Sequence, residues 1–89
     1  MREQYNQILK SLLHDKIIES RNDLCISQEE MAHRLAMAGR SYIDLEHGKT
    51  GGSALTLALY LVYLCPDSTA FLTELKAAFD ELEQKNRKE

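Results

Sequence analysis

The chain has 89 residues and a mass of 10.2 kDa, which is enough for one domain with a single modest core. Its composition, 44% hydrophobic and 28% charged, excludes an intrinsically disordered chain. A net charge of −3 excludes a protein that wraps nucleic acid or anionic lipid through its overall charge, but not one with a local basic surface.

Residue types that carry chemistry are sparse. Two cysteines, Cys25 and Cys65, are too few for a disulfide framework, and neither has a histidine nearby in sequence. The three histidines lack metal-ligand spacing, so we expect no enzyme activity, metal, cofactor or small-molecule ligand. No apolar run approaches the roughly 18 residues that span a bilayer, and no signal peptide opens the sequence. We therefore expect a cytoplasmic protein with no membrane partner.

Turn-forming residues are also scarce. The chain has four glycines and one proline, fewer than several short strands would need. We therefore predict an all-α fold in which residues 1–89 form a single domain without an internal linker. The five helices are predicted, in chain order, over 4–21, 27–36, 38–47, 53–64 and 68–85.

The first predicted helix has one apolar face and polar residues elsewhere. Asn22-Asp23 should end it, because short polar side chains compete for backbone hydrogen bonds. Leu24 and Ile26 are then expected to plug the core from a turn. The apolar face recurs at helical spacing through Tyr5, Ile8, Leu9, Leu12, Leu13 and Ile17.

The next two helices have clear end signals. Ser27-Gln28-Glu29-Glu30 is a capping box, in which the Ser27 hydroxyl accepts from the N–H of Glu30 and the Glu30 carboxylate accepts from the N–H of Ser27. At the end of the third helix, Gly48 is expected in the left-handed conformation that closes a last helical turn.

The segment 55–64 is ambiguous by pattern. Its alternating leucines are typical of a strand, whereas its apolar character on nearly every side is typical of a buried helix. Ser53 before the segment and Pro66 after it favour the helix. Asp67 or Ser68 then caps the last predicted helix.

The segment from Arg21 to Lys49 combines a capped short helix, a tight turn and a second short helix. Its distinctive residues are Arg21, Ser27-Gln28-Glu29-Glu30-Met31-Ala32, Leu35, Leu45-Glu46 and Gly48-Lys49. With these residues, the segment resembles the helix-turn-helix of phage-repressor-like DNA-binding domains of the Cro and repressor type, the xenobiotic-response-element family. The resemblance implies a sequence-specific transcriptional regulator, a small repressor that binds double-stranded DNA at a two-fold operator as a homodimer.

The resemblance also implies which residues recognise the DNA bases. It implies that the third helix presents Gly39, Arg40, Ser41 and Asp44 to base edges in the major groove. Arg40 is the best candidate, because a guanidinium matches guanine O6 and N7 bidentately. Asp44 either accepts from a cytosine amine or orients Arg40 one helical turn away.

The resemblance implies that other residues support the contact between the third helix and DNA. Gln28 touches the DNA backbone and braces the recognition helix, and Lys49 and Thr50 hold phosphates without specifying sequence. Arg21 and Glu46 form a partly buried salt bridge whose role is structural.

The last predicted helix, 68–85, is expected to be the dimerisation element. Its apolar residues offer more surface than a chain of this size needs for its own core. Those predicted to contact a second copy are Phe71, Leu75, Phe79 and Leu82.

Three positions depart from the family pattern. Ala36 replaces the usual glycine of the turn, Ala38 replaces a serine or threonine cap, and Tyr42 replaces a smaller aliphatic residue. Residues 27–52 also carry only three lysines and arginines against four acidic residues. This balance supports an alternative function, a non-catalytic protein-interaction module of the antitoxin or antirepressor type on the same fold.

Overall fold

The computed structural model describes residues 1–88, and these form five α-helices and no strand. The predicted all-α class is confirmed, and so is the helical state of 55–64. The fourth helix runs directly into a π-helical turn, Tyr60–Leu64. The α-helices are α1, Arg2–Leu24; α2, Gln28–Arg34; α3, Gly39–Glu46; α4, Ala54–Leu59; and α5, Ser68–Lys88.

Helix α1 continues three residues past its predicted end at 21. Cys25 adopts a left-handed φ of 56°, which lets the N–H groups of Cys25 and Ile26 donate to the carbonyls of Asn22 and Arg21. This closure satisfies the last carbonyls of the helix, so the polar residues stay helical. Ile26 packs against the core as predicted, but Leu24 is 45% exposed, and its expected place in the core is wrong.

Helix α2 begins at its predicted cap. The Ser27 hydroxyl accepts from the N–H of Glu30 at 3.0 Å. The Glu30 carboxylate, however, accepts from Arg34 Nε at 3.1 Å, one turn along the helix. The expected reciprocal bond to Ser27 is thus replaced by an ion pair on the helix surface.

Helix α2 ends at Arg34, two residues before its predicted end at 36. Ala36 takes a left-handed φ of 54°. Its N–H donates to the backbone carbonyl of His33, and the N–H of Met37 donates to the carbonyl of Ala32 at 2.9 Å. An alanine in this conformation costs roughly 1–2 kcal/mol, which the closed turn must offset.

The remaining helix ends follow their local signals. Gly48 has a φ of 75° and donates to the carbonyl of Leu45, which closes α3 as predicted. Ser53 accepts from the N–H of Thr56 at 3.3 Å and begins α4. Of the two caps proposed for α5, Asp67 accepts from the N–H of Ala70 at 3.0 Å, whereas the Ser68 hydroxyl donates to the carbonyl of Leu61.

The core lies where the short helices meet the two long ones. Helices α1 and α5 run antiparallel, since Tyr5 stacks edge-on against Phe79 and Lys16 pairs with Glu74. Tyr60 of the π turn is fully buried and packs 5.8 Å from the ring of Phe71. The other buried hydrophobic residues are Leu13, Ile17, Met31, Ala32, Leu35, Tyr42, Leu45 and Leu64.

This packing changes the predicted dimer surface of α5. Phe71 is only 2% exposed, because its ring packs on Tyr60 in the same chain, so the prediction that it contacts a second copy is wrong. Leu75 packs against the core, Phe79 is half-buried on Tyr5, and Leu82 is half-buried. Among these four, no side chain is fully exposed.

Large apolar side chains are exposed elsewhere. Leu55 of α4 is 60% exposed, and Val62 and Tyr63 of the π turn are 69% and 75% exposed. Leu72, on the outer side of α5, is 53% exposed. Within residues 1–88, no helix combines the length and apolar character that crossing a membrane requires.

Candidate nucleic-acid interface

The carboxylate of Glu46, at the end of α3, joins three helices. Its side chain is 8% exposed and accepts from Arg21 of α1 through Nε at 2.5 Å and Nη2 at 3.3 Å. Gln28 of α2 donates its side-chain amide to the same carboxylate at 3.0 Å, and the Tyr42 hydroxyl donates to it from within α3. The expected ion pair of Arg21 and Glu46 is therefore present, at the centre of a larger network.

The charges of this network are balanced. Burial opposes the ionised form of Glu46, but hydrogen bonds from Arg21, Tyr42 and Gln28 outweigh it, so its pKa lies below the usual range. The hydrogen bond to Glu46 raises the pKa of Arg21. Burial, followed by the bond to Glu46, raises the pKa of Tyr42. At neutral pH, an ionised carboxylate thus accepts from a guanidinium and a neutral phenol.

A further contact ties the end of α3 to α1. His14 Nε2 lies 2.7 Å from the backbone carbonyl oxygen of Glu46, one of the carbonyls left without a helical partner. This hydrogen bond, followed by one to Asp15, raises the pKa of His14. Arg21 adds a bond from Nη1 to the carbonyl of Ile26, which secures the start of the segment leading to α2.

Tyr42 and His14 belong to this network, although the sequence did not predict either of them there. The four-residue spacing of Tyr42 and Glu46 is a usable signal, because such residues are neighbours on a helix. His14 has no comparable signal, since its partner is a backbone carbonyl 32 residues away.

The opposite side of α3 faces solvent. Gly39, Arg40 and Ser41 of its first turn are exposed, and 86% of the Arg40 side chain is accessible to solvent. Asp44 is partly buried, and its Oδ1 lies 3.9 Å from Arg40 Nε, at the outer limit of an ion pair. This spacing matches the orienting role considered for Asp44. Such an exposed pair is weak and leaves the guanidinium available to a ligand.

Gln28, Lys49 and Thr50 lie around this helix in different environments. Gln28 is half-buried, and one of its two amide hydrogens is engaged with Glu46, which matches the bracing role. Lys49 and Thr50 are exposed in the loop after α3. They line an open cleft of about 420 Å³ against α1.

The other cavity of note lies between α1 and α5. It measures about 140 Å³ and has the side chains of Tyr60, Cys65 and Phe71 in its wall. The Tyr60 hydroxyl is satisfied by Ser20 and the carbonyl of Lys16, and burial raises the pKa of Tyr60 to about 12. In the part of the chain that the structure describes, no three histidine, cysteine or acidic side chains gather closely enough to hold a metal ion.

No protein-family model matches the chain, and no curated protein or solved structure is significantly similar to it. The structure joins Arg21, Gln28 and Glu46 in one network. It leaves Arg40, with Asp44 beside it, on the outer face of α3.

Proposed function

We propose that the protein is a sequence-specific DNA-binding regulator, a small repressor in which α2 and α3 act as a helix-turn-helix and α3 enters the major groove. The observation that carries the proposal is the network on Glu46. It holds α3 against α1 and α2 by its last residue, while the first turn of α3 stays open to solvent. A helix that reads DNA sequence needs one end held rigidly by the rest of the protein and the other end exposed to the DNA.

The chemistry of the exposed turn supports base recognition. Arg40 supplies a planar guanidinium for guanine, and Gly39 has open space around its α-carbon, which allows a close backbone approach. Ser41 adds a hydroxyl that donates or accepts. Lys49, Thr50 and the second amide hydrogen of Gln28 are proposed to hold phosphates on either side of the groove.

The proposed occupant of the exposed apolar surface is a second copy of the chain. Residues 50–66 contain no charged side chain, in a protein that is 28% charged. An uncharged surface fits its own copy across a two-fold axis, whereas a charged one would place like charges opposite each other. Leu55, Val62, Tyr63 and Leu72 are each more than half exposed and would supply apolar contacts to such an interface.

The alternative is an interaction module on the same fold. It is favoured by the excess of acidic residues in 27–52 and by the same exposed apolar side chains, which a partner protein would also cover. The two functions differ in their dependence on duplex DNA.

A salt titration of duplex binding separates them. For a DNA-binding protein, the logarithm of the affinity falls steeply and linearly with the logarithm of the salt concentration, because phosphate contacts release counterions. Lys49→Ala should weaken binding to all duplexes alike and reduce the slope by about one. The absence of binding to any duplex at low salt would favour the interaction module.

A further inference from the structure

The open cleft beside α3 is lined by hydrogen-bond donors that are either positively charged or neutral. It lies between the first half of α1 and the loop after α3, and no acidic side chain lines it although the protein has a net charge of −3. Its lining residues are Gln7, Lys10, Ser11, His14, Gly48, Lys49, Thr50 and Gly51.

The side chain of Lys10 lies against Gly51 in this cleft. A Cβ at Gly51 would lie 2.5–2.6 Å from the side-chain carbons of Lys10, closer than atoms approach in proteins. The aliphatic stem of Lys10 thus lies directly on the backbone of the loop, where only glycine leaves room for it. The contact brings a cation of α1 to the loop that carries Lys49.

The donors in the cleft divide into those that already have a hydrogen-bond partner and those that are available to a ligand. His14 and Gln7 already have partners, His14 the carbonyl of Glu46 and Gln7 the side chain of Glu3. The N–H groups of Gly48 and Lys49 close the end of α3. Within residues 1–88, the N–H groups of Thr50 and Gly51 have no backbone partner, and the lysines of the cleft have no ion-pair partner.

We infer that this cleft binds a phosphate group, and that Lys10, Lys49 and the Thr50–Gly51 backbone hold a phosphodiester of the duplex that α3 reads. Two ammonium groups with backbone N–H donors, and no carboxylate among them, are the usual partners of a phosphate. The inference rests on the proposed function. It extends the DNA contact from α2 and α3 to α1, and adds a cation to an interface with few of them.

The experiment measures anisotropy of a labelled duplex with the full chain over a range of salt concentrations. Lys10→Met keeps the stem on Gly51 and removes the charge. It should weaken binding to preferred and random duplexes alike and reduce the salt slope by about 0.9 for each copy of the chain that is bound. Lys76→Met, on α5, removes the same charge from an exposed pair with Asp80 and should leave the slope unchanged.

A second variant tests the geometry without a change of charge. Gly51→Ala should displace Lys10 from the loop and reproduce part of the affinity loss of Lys10→Met. Gly51 has no positive φ, so alanine fits its backbone. An unchanged affinity in Gly51→Ala would contradict the positioning of Lys10 by this contact.

Titration with inorganic phosphate, followed by the amide resonances of Thr50 and Gly51, separates the cleft from the proposed function. The wild type should show saturable shifts that Lys10→Met loses. No shift in the wild type, or a Lys10→Met slope equal to that of Lys76→Met on a duplex that the wild type binds, overturns the inference. Phosphate shifts without duplex binding would refute the proposed function and keep the cleft as an anion site.

Discussion

At the scale of single residues, the molecule depends on one nearly buried carboxylate. Glu46 accepts from Arg21, Gln28 and Tyr42, and its backbone carbonyl lies within hydrogen-bond distance of His14. Each of these groups would lose a partner if the side chain or the end of α3 moved. A charge left without its partner inside a protein costs more than the pair contributes over an apolar replacement. Glu46 thus determines where α3 sits.

Replacing Glu46 with alanine should lower the free energy of unfolding by roughly 2–4 kcal/mol, because Arg21 and two neutral donors lose their acceptor. Urea denaturation measures the change. The control is Glu30→Ala, which removes a surface pair with Arg34 and should cost less than about 1 kcal/mol. Equal losses in the two variants would contradict the central place of Glu46.

His14 should make stability depend on pH in the neutral range. Its pKa is raised in the folded state, chiefly by the bond to the carbonyl of Glu46, so the folded chain binds the proton more tightly than the unfolded chain. The contribution is complete below the unfolded pKa of about 6.5 and is lost as pH rises through the folded pKa. The stability difference between wild type and His14→Gln should therefore shrink above pH 6.5. A difference that stays constant from pH 5 to 9 would show that this bond does not favour the charged imidazole.

At the scale of elements, helix ends were predictable where a side chain or a glycine sets them. Ser27, Gly48, Ser53 and Asp67 are local signals, and the structure uses each of them. The end of α1 was missed because Cys25 has no intrinsic preference for the left-handed region.

The partners of the helix faces were not predictable in the same way. Periodicity shows which side of α5 is apolar, but not that Tyr60 of a π turn fills the space beside Phe71. The pairing of Arg21 with Glu46 is an exception, because a family resemblance predicted it. The contact of His14 with a backbone carbonyl follows only from how α1 crosses α3.

The turn between α2 and α3 carries strain that a single substitution should relieve. Ala36 is exposed with a φ of 54°, so Ala36→Gly should raise the free energy of unfolding by about 1 kcal/mol. Ala77 is exposed in the interior of α5, where glycine is unfavourable, so Ala77→Gly should instead lower the free energy of unfolding by roughly 0.5–1 kcal/mol. Thermal unfolding of the two variants checks the difference. A lower stability of Ala36→Gly would show that the turn is not strained.

At the scale of the whole molecule, the antiparallel pair of α1 and α5 gives a body of 45 × 25 × 19 Å. Because Phe71 is buried and Phe79 covers Tyr5, more exposed apolar surface lies at Leu55, Val62 and Tyr63 than on α5, where Leu72 is 53% exposed. We therefore expect the second copy to contact Val62 and Tyr63 first.

Sedimentation at micromolar concentration should give twice the chain mass, and Tyr63→Glu should give a folded monomer. Tyr63 is 75% exposed, so the charge should not disturb the core, and circular dichroism checks this. Phe79→Glu is the comparison, because it should lower the stability through the lost contact with Tyr5. A wild type that sediments as a monomer would contradict the proposed dimer.

The proposed function requires that the first turn of α3 reads bases, with Arg40 as the main reader. The most direct test is selection of preferred duplexes from a random pool, carried out with the wild type and with Arg40→Ala. The wild type should enrich a two-fold symmetric site with half-sites about one helical turn apart. Arg40→Ala should bind that site more weakly by about 1–3 kcal/mol and lose its preference at one base pair in each half-site. Enrichment of no sequence by the wild type, or of the same sequence with the same affinity by Arg40→Ala, would contradict the account.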